Sequence, residues 1–261
     1  MVTRPPTRSE GLREGRLQLH YAAQVLGALG ASLKPMQSDH SHTALEMRAG
    51  RLHVAGHGIE ASLDGSGALV IARSGNARTV PLPGCTLEEV LLELPKVLRM
   101  LGVRDPKPVK RLQHDLPEHP IGAGEPFEGF PIESDVVLRW LAFGWQVIAA
   151  LEPRPGLQPL RLWPHHFDAA RLWRLGATQS GAALGFGASP GDAHYDEPYF
   201  YVTLWPRPDA DAHLPDLIEG AHWHREGWTG AVLLGARVLD GVDPHAVLRD
   251  AGTKGMQVLT S

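Results

Sequence analysis

The sequence predicts an α+β fold, two helix–antiparallel strands–helix halves joined by a proline-rich crossover. Three observations predict it. Apolar residues recur at helical spacing near the start of each half. Short strand-like stretches broken by glycine turns follow each helix. Each set then closes on a segment with a helix start signal.

The elements read off in order. Leu19, Ala22, Ala23, Leu26, Leu29 and Leu33 mark one helical face, and Pro35 stops it. Strands are expected at Ala44–Met47, Arg51–Ala55, Ile59–Leu63 and Leu69–Arg73, punctuated by Ala49-Gly50, His57-Gly58, Asp64-Gly65 and Ser74-Gly75. Thr86-Leu87-Glu88-Glu89 is a capping box that opens a helix to about Met100, with Pro95 expected to kink it or end its first part. Residues 103–131 hold six prolines and little periodicity, an ordered linker between residues 1–102 and 132–261. A helix is then expected over Ser134–Leu151, ended by Pro153 and Pro155. Strands follow near Leu160–Asp168, Ala170–Leu175, Ala182–Phe186, Tyr199–Trp205 and Thr229–Leu234. Asp243-Pro244 opens a last helix to about Asp250, with Gly252 as its stop. Leu19-His20-Tyr21 in the first helix stands against Leu138-Arg139-Trp140 in the second. A diverged duplication and two independent halves both fit that order.

Composition narrows the function classes. Charged residues are 21% and apolar ones 43%, the balance of a globular chain with a real core. The single cysteine, Cys85, leaves no partner for an intrachain disulfide or a thiolate zinc site and fits a reducing, cytoplasmic compartment. Cys85 lies in a Pro-Gly turn with no histidine within 25 residues, which argues against a nucleophile. The stretch Met1–Arg16 is polar, with no apolar core of a leader. The longest apolar run, Val136–Leu151, has 16 residues against the ~20 that span a bilayer, so no membrane partner is expected. Net charge is −4, and beyond Lys107–Arg111 no basic cluster offers nucleic acid a footprint. A homo-oligomer stays compatible with all of this. Neither a Walker loop nor a G-x-G-x-x-G following a strand is present, so no nucleotide cofactor is expected. Gly181-Ala-Ala-Leu-Gly185-Phe-Gly187 reads as a strand packed close to its neighbour.

Aromatic residues divide the chain. Of 17, only Tyr21 lies before residue 127, and all seven tryptophans lie between 140 and 228. Three second-half segments then concentrate polar chemistry. In Leu162-Trp163-Pro164-His165-His166-Phe167-Asp168, strand alternation puts His166 and Asp168 on one face and His165 on the other, with Pro164 marking an edge or bulge. In the stretch from Ser189 to Tyr201, Glu197, Tyr199, Tyr201 and Thr203 share a polar face opposite Phe200, Val202 and Leu204. In His222-Trp223-His224-Arg225-Glu226, the two histidines and Glu226 share one side of an extended chain.

Imidazoles with carboxylates suit a divalent transition metal, zinc or iron. His165, His166, Asp168, His222 and His224 are the candidate ligands. Glu197 and Glu226 are the candidate acid and base, and Tyr199 and Tyr201 would orient a small-molecule ligand. Two other readings stand beside this one: a metal-free ligand or catalytic pocket, and a structural network of satisfied histidines. Asp39-His40-Ser41-His42 is a further H-x-H, of the incidental kind common in loops.

These segments resemble a bacterial family catalogued as a domain of unknown function. The resemblance rests on Leu162–Asp168, Ser189-Pro190-Gly191-Asp192, Glu197-Pro198-Tyr199-Phe200-Tyr201-Val202 and Glu226-Gly227-Trp228-Thr229-Gly230-Ala231. The helix around Leu19-His20 and the helix ending at Leu101-Gly102 also look like that family's layout. Its members carry a Trp-Gly-Ser-Phe-Asp-like string where this chain has Pro164–Asp168, so the resemblance implies Asp168 as the shared feature rather than the histidines. It implies no reaction. The leading expectation is a small-molecule-acting protein, a metal-dependent hydrolase or non-haem-iron enzyme. The alternative is a non-catalytic binding or assembly module with an aromatic sheet face.

Overall fold

The computed structural model describes residues 10–176 and 181–260. Its fold is α+β, with antiparallel sheets and flanking helices. The chain divides into two compact units. The first holds the described residues up to Ala142 together with Arg161–Phe167. The second holds Phe143–Leu160 and the described residues from Asp168 on.

In the first unit, α1 (Glu10–Leu33) is followed by β1 (Glu46–Arg48), β2 (Arg51–Gly56), β3 (Ile59–Leu63), β4 (Ala68–Arg73) and β5 (Asn76–Pro81). The five strands pair antiparallel in chain order. Their turns follow from local chemistry. His57-Gly58 and Ser74-Gly75 both carry two consecutive positive φ values (49° and 73°, 49° and 81°), the backbone that two-residue hairpins require. Helix α1 lies on β2 and β3. Helix α2 (Leu87–Met100) has the capping box as read, with Thr86 Oγ1 accepting from Glu89 N and Glu89 reaching back to Thr86 N. It runs through Pro95, because the apolar face of Val90, Leu91, Leu94, Val97 and Leu98 is buried on both sides of the proline. The crossover contains a 3-10 turn, Pro120–Ala123, and leads to α3 (Glu133–Ala149).

β6 (Arg161–Trp163) is short. The continuous strand expected over Leu160–Asp168 is not formed. Residues 164–167 make a turn in which Phe167 has φ 54°. Pro164 offers no N–H to a ladder, and Phe167 N closes the turn onto Trp163 O at 2.7 Å. The face alternation assigned to His165, His166 and Asp168 therefore does not hold.

The second unit contains β7 (Asp168–Arg174), β8 (Ala183–Ser189), β9 (Tyr199–Trp205), β10 (Ala221–His224), β11 (Gly230–Leu234), α4 (Gly235–Leu239) and α5 (Pro244–Thr260). Its strands lie in the order β10-β11-β9-β8-β7, all antiparallel. One face is apolar: Leu184, Phe186, Phe200, Val202, Leu204, Ala231 and Leu233 are all buried. Helix α5 covers it. The helix does not stop at Gly252, because the glycine serves packing rather than a C-cap. A Cβ on Gly252 would come within 3.0 Å of Phe186 Cζ, and one on Gly255 within 3.0 Å of Leu184 Cδ2. No helix among the described residues is long and apolar enough to cross a membrane.

Candidate functional site

The register places Tyr201 opposite Val232 on β11 and Gly187 on β8, and Val232 in turn opposite His222 on β10. Directly opposed residues point to the same side, so Tyr199, Tyr201, Thr203, His222 and His224 share the face away from α5. Gly187 makes room there for the Tyr201 ring, which a Cβ would approach to 2.5 Å at Cε1. The glycine-rich segment is thus a strand closely overlaid by its neighbour, as its composition predicts.

Two phenols on this face end on carboxylates. Tyr201 donates to Asp168 Oδ2, and Tyr199 donates to Asp192 Oδ2 at 2.5 Å. Burial, reinforced by those carboxylates, pushes both phenols far above their ordinary value. Both therefore stay protonated and donate to those carboxylates. Asp192 Oδ1 also accepts from His194 N (2.8 Å) and Tyr195 N (3.0 Å), an Asx turn that shapes the loop.

The loop brings Tyr195 over β10. Its hydroxyl lies 3.1 Å from His222 Nε2 and 2.9 Å from His224 Nδ1, and His224 Nε2 lies 2.5 Å from the Glu226 carbonyl. A carbonyl only accepts, so His224 carries its proton on Nε2. Its Nδ1 is then a lone pair, and Tyr195 donates to it. The phenol oxygen is left to accept from His222 Nε2–H. The result is one directed chain, His222 to Tyr195 to His224 to Glu226 O. Its outer end is exposed at His222. Partial burial and the neighbouring His224 hold the His222 imidazole below its ordinary value, so it is neutral at pH 7. Burial and Asp192 push the Tyr195 phenol up. Trp228 stacks on His224 with centroids 4.2 Å apart and meets Tyr201 edge-on at 6.1 Å.

The remaining candidates fall elsewhere. Glu197 is buried, and its Oε2 accepts from Ala236 N at 2.9 Å, capping α4, which has no side-chain cap at Leu234. The Glu226 side chain is exposed; its backbone carbonyl is the part that joins the chain. His165 and His166 belong to the first unit, their rings 4.2 Å apart in the 164–167 turn. Among the described residues no group of three or more His, Cys, Asp or Glu is placed to hold a metal ion. His42 Nδ1 accepts from Gln37 N at 3.2 Å and Asp39 Oδ1 from Ser41 N at 3.0 Å, so the first-half H-x-H builds a turn. Cys85 is free and half-buried. Trp173 and Trp223 donate their indole N–H to the carbonyls of Pro155 and Pro215, fastening loops to strands.

Sequence reasoning missed a second polar region, in the first unit. Helix α1 buries Gln18, His20 and Gln24 along with its leucines. Gln18 donates to Glu14 (2.8 Å), which faces His119 Nε2 at 3.2 Å. Gln24 meets Pro164 O and His114, and the buried His20 ring stacks on Phe167 with centroids 5.1 Å apart. The signal was present as polar residues at 14, 18, 20, 21 and 24 on the side of the helix opposite Leu19, Ala22, Leu26 and Leu29. Comparison of the chain with protein-family models, with curated proteins and with solved structures gives no match in any of the three.

Proposed function

We propose that this protein acts on a small molecule by proton transfer at the Tyr195 face of the second unit. The observation that carries the reading is the directed chain from His222 through Tyr195 to His224. His222 is exposed, and its Nδ1 is the entry point, since its Nε2 carries the proton. A proton taken from the ligand at Nδ1 releases the Nε2 proton to the Tyr195 oxygen. The Tyr195 proton passes to His224 Nδ1, and the Glu226 carbonyl holds the imidazolium so formed through Nε2–H. No phenolate accumulates, which matches a tyrosine kept in its protonated form. The ligand class is a small molecule with an acidic C–H or O–H.

The test is a side-chain NMR screen of small hydroxy, keto and amino acids against the wild type and Tyr195→Phe. The reading predicts ligands that move the His222 and Tyr195 signals and bind about tenfold more weakly to the variant. Ligands that leave those signals unmoved, or bind both proteins equally, overturn it.

The same geometry favours a second reading, a divalent transition metal. Two imidazole nitrogens face one oxygen, and an ion could take that point with Tyr195 turned aside or bound through its oxygen. Elemental analysis of untagged protein decides it: under about a tenth of an equivalent of any transition metal, with no uptake on titration, removes the metal reading. A docking face for another protein has less support, because Trp173 and Trp223 commit their N–H groups within the chain.

A further inference from the structure

The crossover and α1 of the first unit enclose an open cleft of ≈ 710 Å³, lined by Tyr21, Arg111, His114, Glu118 and His119 among others. That volume falls within the ~300–1,000 Å³ of small-molecule sites. Its polar groups are not interchangeable. Gln24 Nε2 donates to Pro164 O at 2.5 Å and to His20 O at 3.3 Å. Two carbonyl acceptors fix the orientation of the amide, so Gln24 Oε1 is the atom that faces His114 Nδ1, at 2.9 Å. An acceptor there requires the His114 proton on Nδ1. The Nε2 lone pair is left as a fixed acceptor on a half-buried ring in the cleft wall. His119 offers no second one: Nδ1 accepts from Ile121 N and Nε2 faces Glu14. Tyr21 gives its proton to Pro117 O at 2.8 Å. Among the described residues the exposed Arg111 makes one hydrogen bond, Nη2 to Gly122 O at 3.4 Å, which uses one of the five N–H donors of a guanidinium. Glu118 adds one exposed carboxylate.

A cation, a carboxylate and a fixed lone pair in one cleft are complementary to a molecule that carries both charges. We propose that this cleft is a second small-molecule site, taking a free α-amino acid whose carboxylate meets Arg111 and whose ammonium group meets His114 Nε2 and Glu118. The site shares no residue with the Tyr195 face, so either assignment can fail alone.

The experiment is a side-chain NMR titration of the full chain with the twenty free α-amino acids in turn, with acetate and methylamine as single-charge controls. At least one amino acid is expected to move the Arg111 and His114 signals together, whereas acetate moves Arg111 alone. Arg111→Ala and His114→Phe are each expected to weaken that binding about tenfold, and Tyr195→Phe to leave it unchanged. Arg111 is exposed, so its variant keeps the fold. The proposal is overturned if no amino acid moves both signals, if Arg111→Ala binds as the wild type does, or if long-range ¹H–¹⁵N spectra put the His114 proton on Nε2.

Discussion

Replacing Gly187 by alanine should destabilise the protein, although in an ordinary strand the same change helps. Alanine at a solvated strand position gains about 0.5–1 kcal/mol by restricting the unfolded chain. At Gly187 the new methyl would lie 2.5 Å from Tyr201 Cε1, on a ring pinned through its hydroxyl to Asp168. Overpacking of this kind costs about 1–3 kcal/mol. Forcing the ring aside also breaks the bond to the buried Asp168 carboxylate, a further ~1.5–3 kcal/mol. The net expectation, after the gain from restricting the unfolded chain, is a loss of about 2–5 kcal/mol. Gly185→Ala is the internal control, since its methyl crowds Thr203 Oγ1, the end of a rotatable side chain, and meets Thr203 Cβ at an ordinary 3.8 Å, so it should cost less than about 1 kcal/mol. Urea unfolding followed by tryptophan fluorescence reads both as shifts in midpoint at constant slope. A Gly187→Ala protein as stable as the wild type, or no less stable than Gly185→Ala, refutes the close approach on which the site is built.

Glu197→Ala should cost about 1–2 kcal/mol by uncapping α4, whereas Glu197→Gln keeps an acceptor and most of the stability. Equal losses in thermal unfolding would contradict a capping role. Burial lowers His20 from 6.5 to about 4, against a weaker upward pull from the carbonyls of Pro164 and His165. The unfolded chain then binds a proton that the folded one refuses. Stability should therefore fall as pH drops from 6.5 to about 4, by about 3 kcal/mol, and level off below. His20→Gln should lose that part of the slope, and parallel curves for the two proteins would refute it.

Much of the fold was legible because its signals are local. The positive-φ turns at His57-Gly58 and Ser74-Gly75, the Thr86 capping box and the Tyr199–Trp205 alternation each depend on neighbours in sequence. What was not legible depends on distant partners. β5 is an edge strand with little apolar pattern, held by its ladder to β4. Gly252 looks like a helix stop until Phe186 is seen against it. The site shows the same division. Tyr199, Tyr201 and the His222/His224 pair fall on one face, as parity predicts. Tyr195 at their centre was passed over, because a loop residue has no parity to read. Asp168 meets Tyr201 across β8, a pairing that only the register reveals. His165 and His166 were misread because a four-residue turn replaced the strand on which their alternation depended.

The central claim is the direction of the chain through Tyr195, and long-range ¹H–¹⁵N correlation spectra of the histidine side chains at neutral pH test it most directly. The account predicts His222 and His224 both protonated on Nε2, with His224 Nδ1 shifted as a hydrogen-bond acceptor and that shift lost in Tyr195→Phe. A His224 ring protonated on Nδ1, or an Nδ1 signal indifferent to Tyr195→Phe, would contradict it.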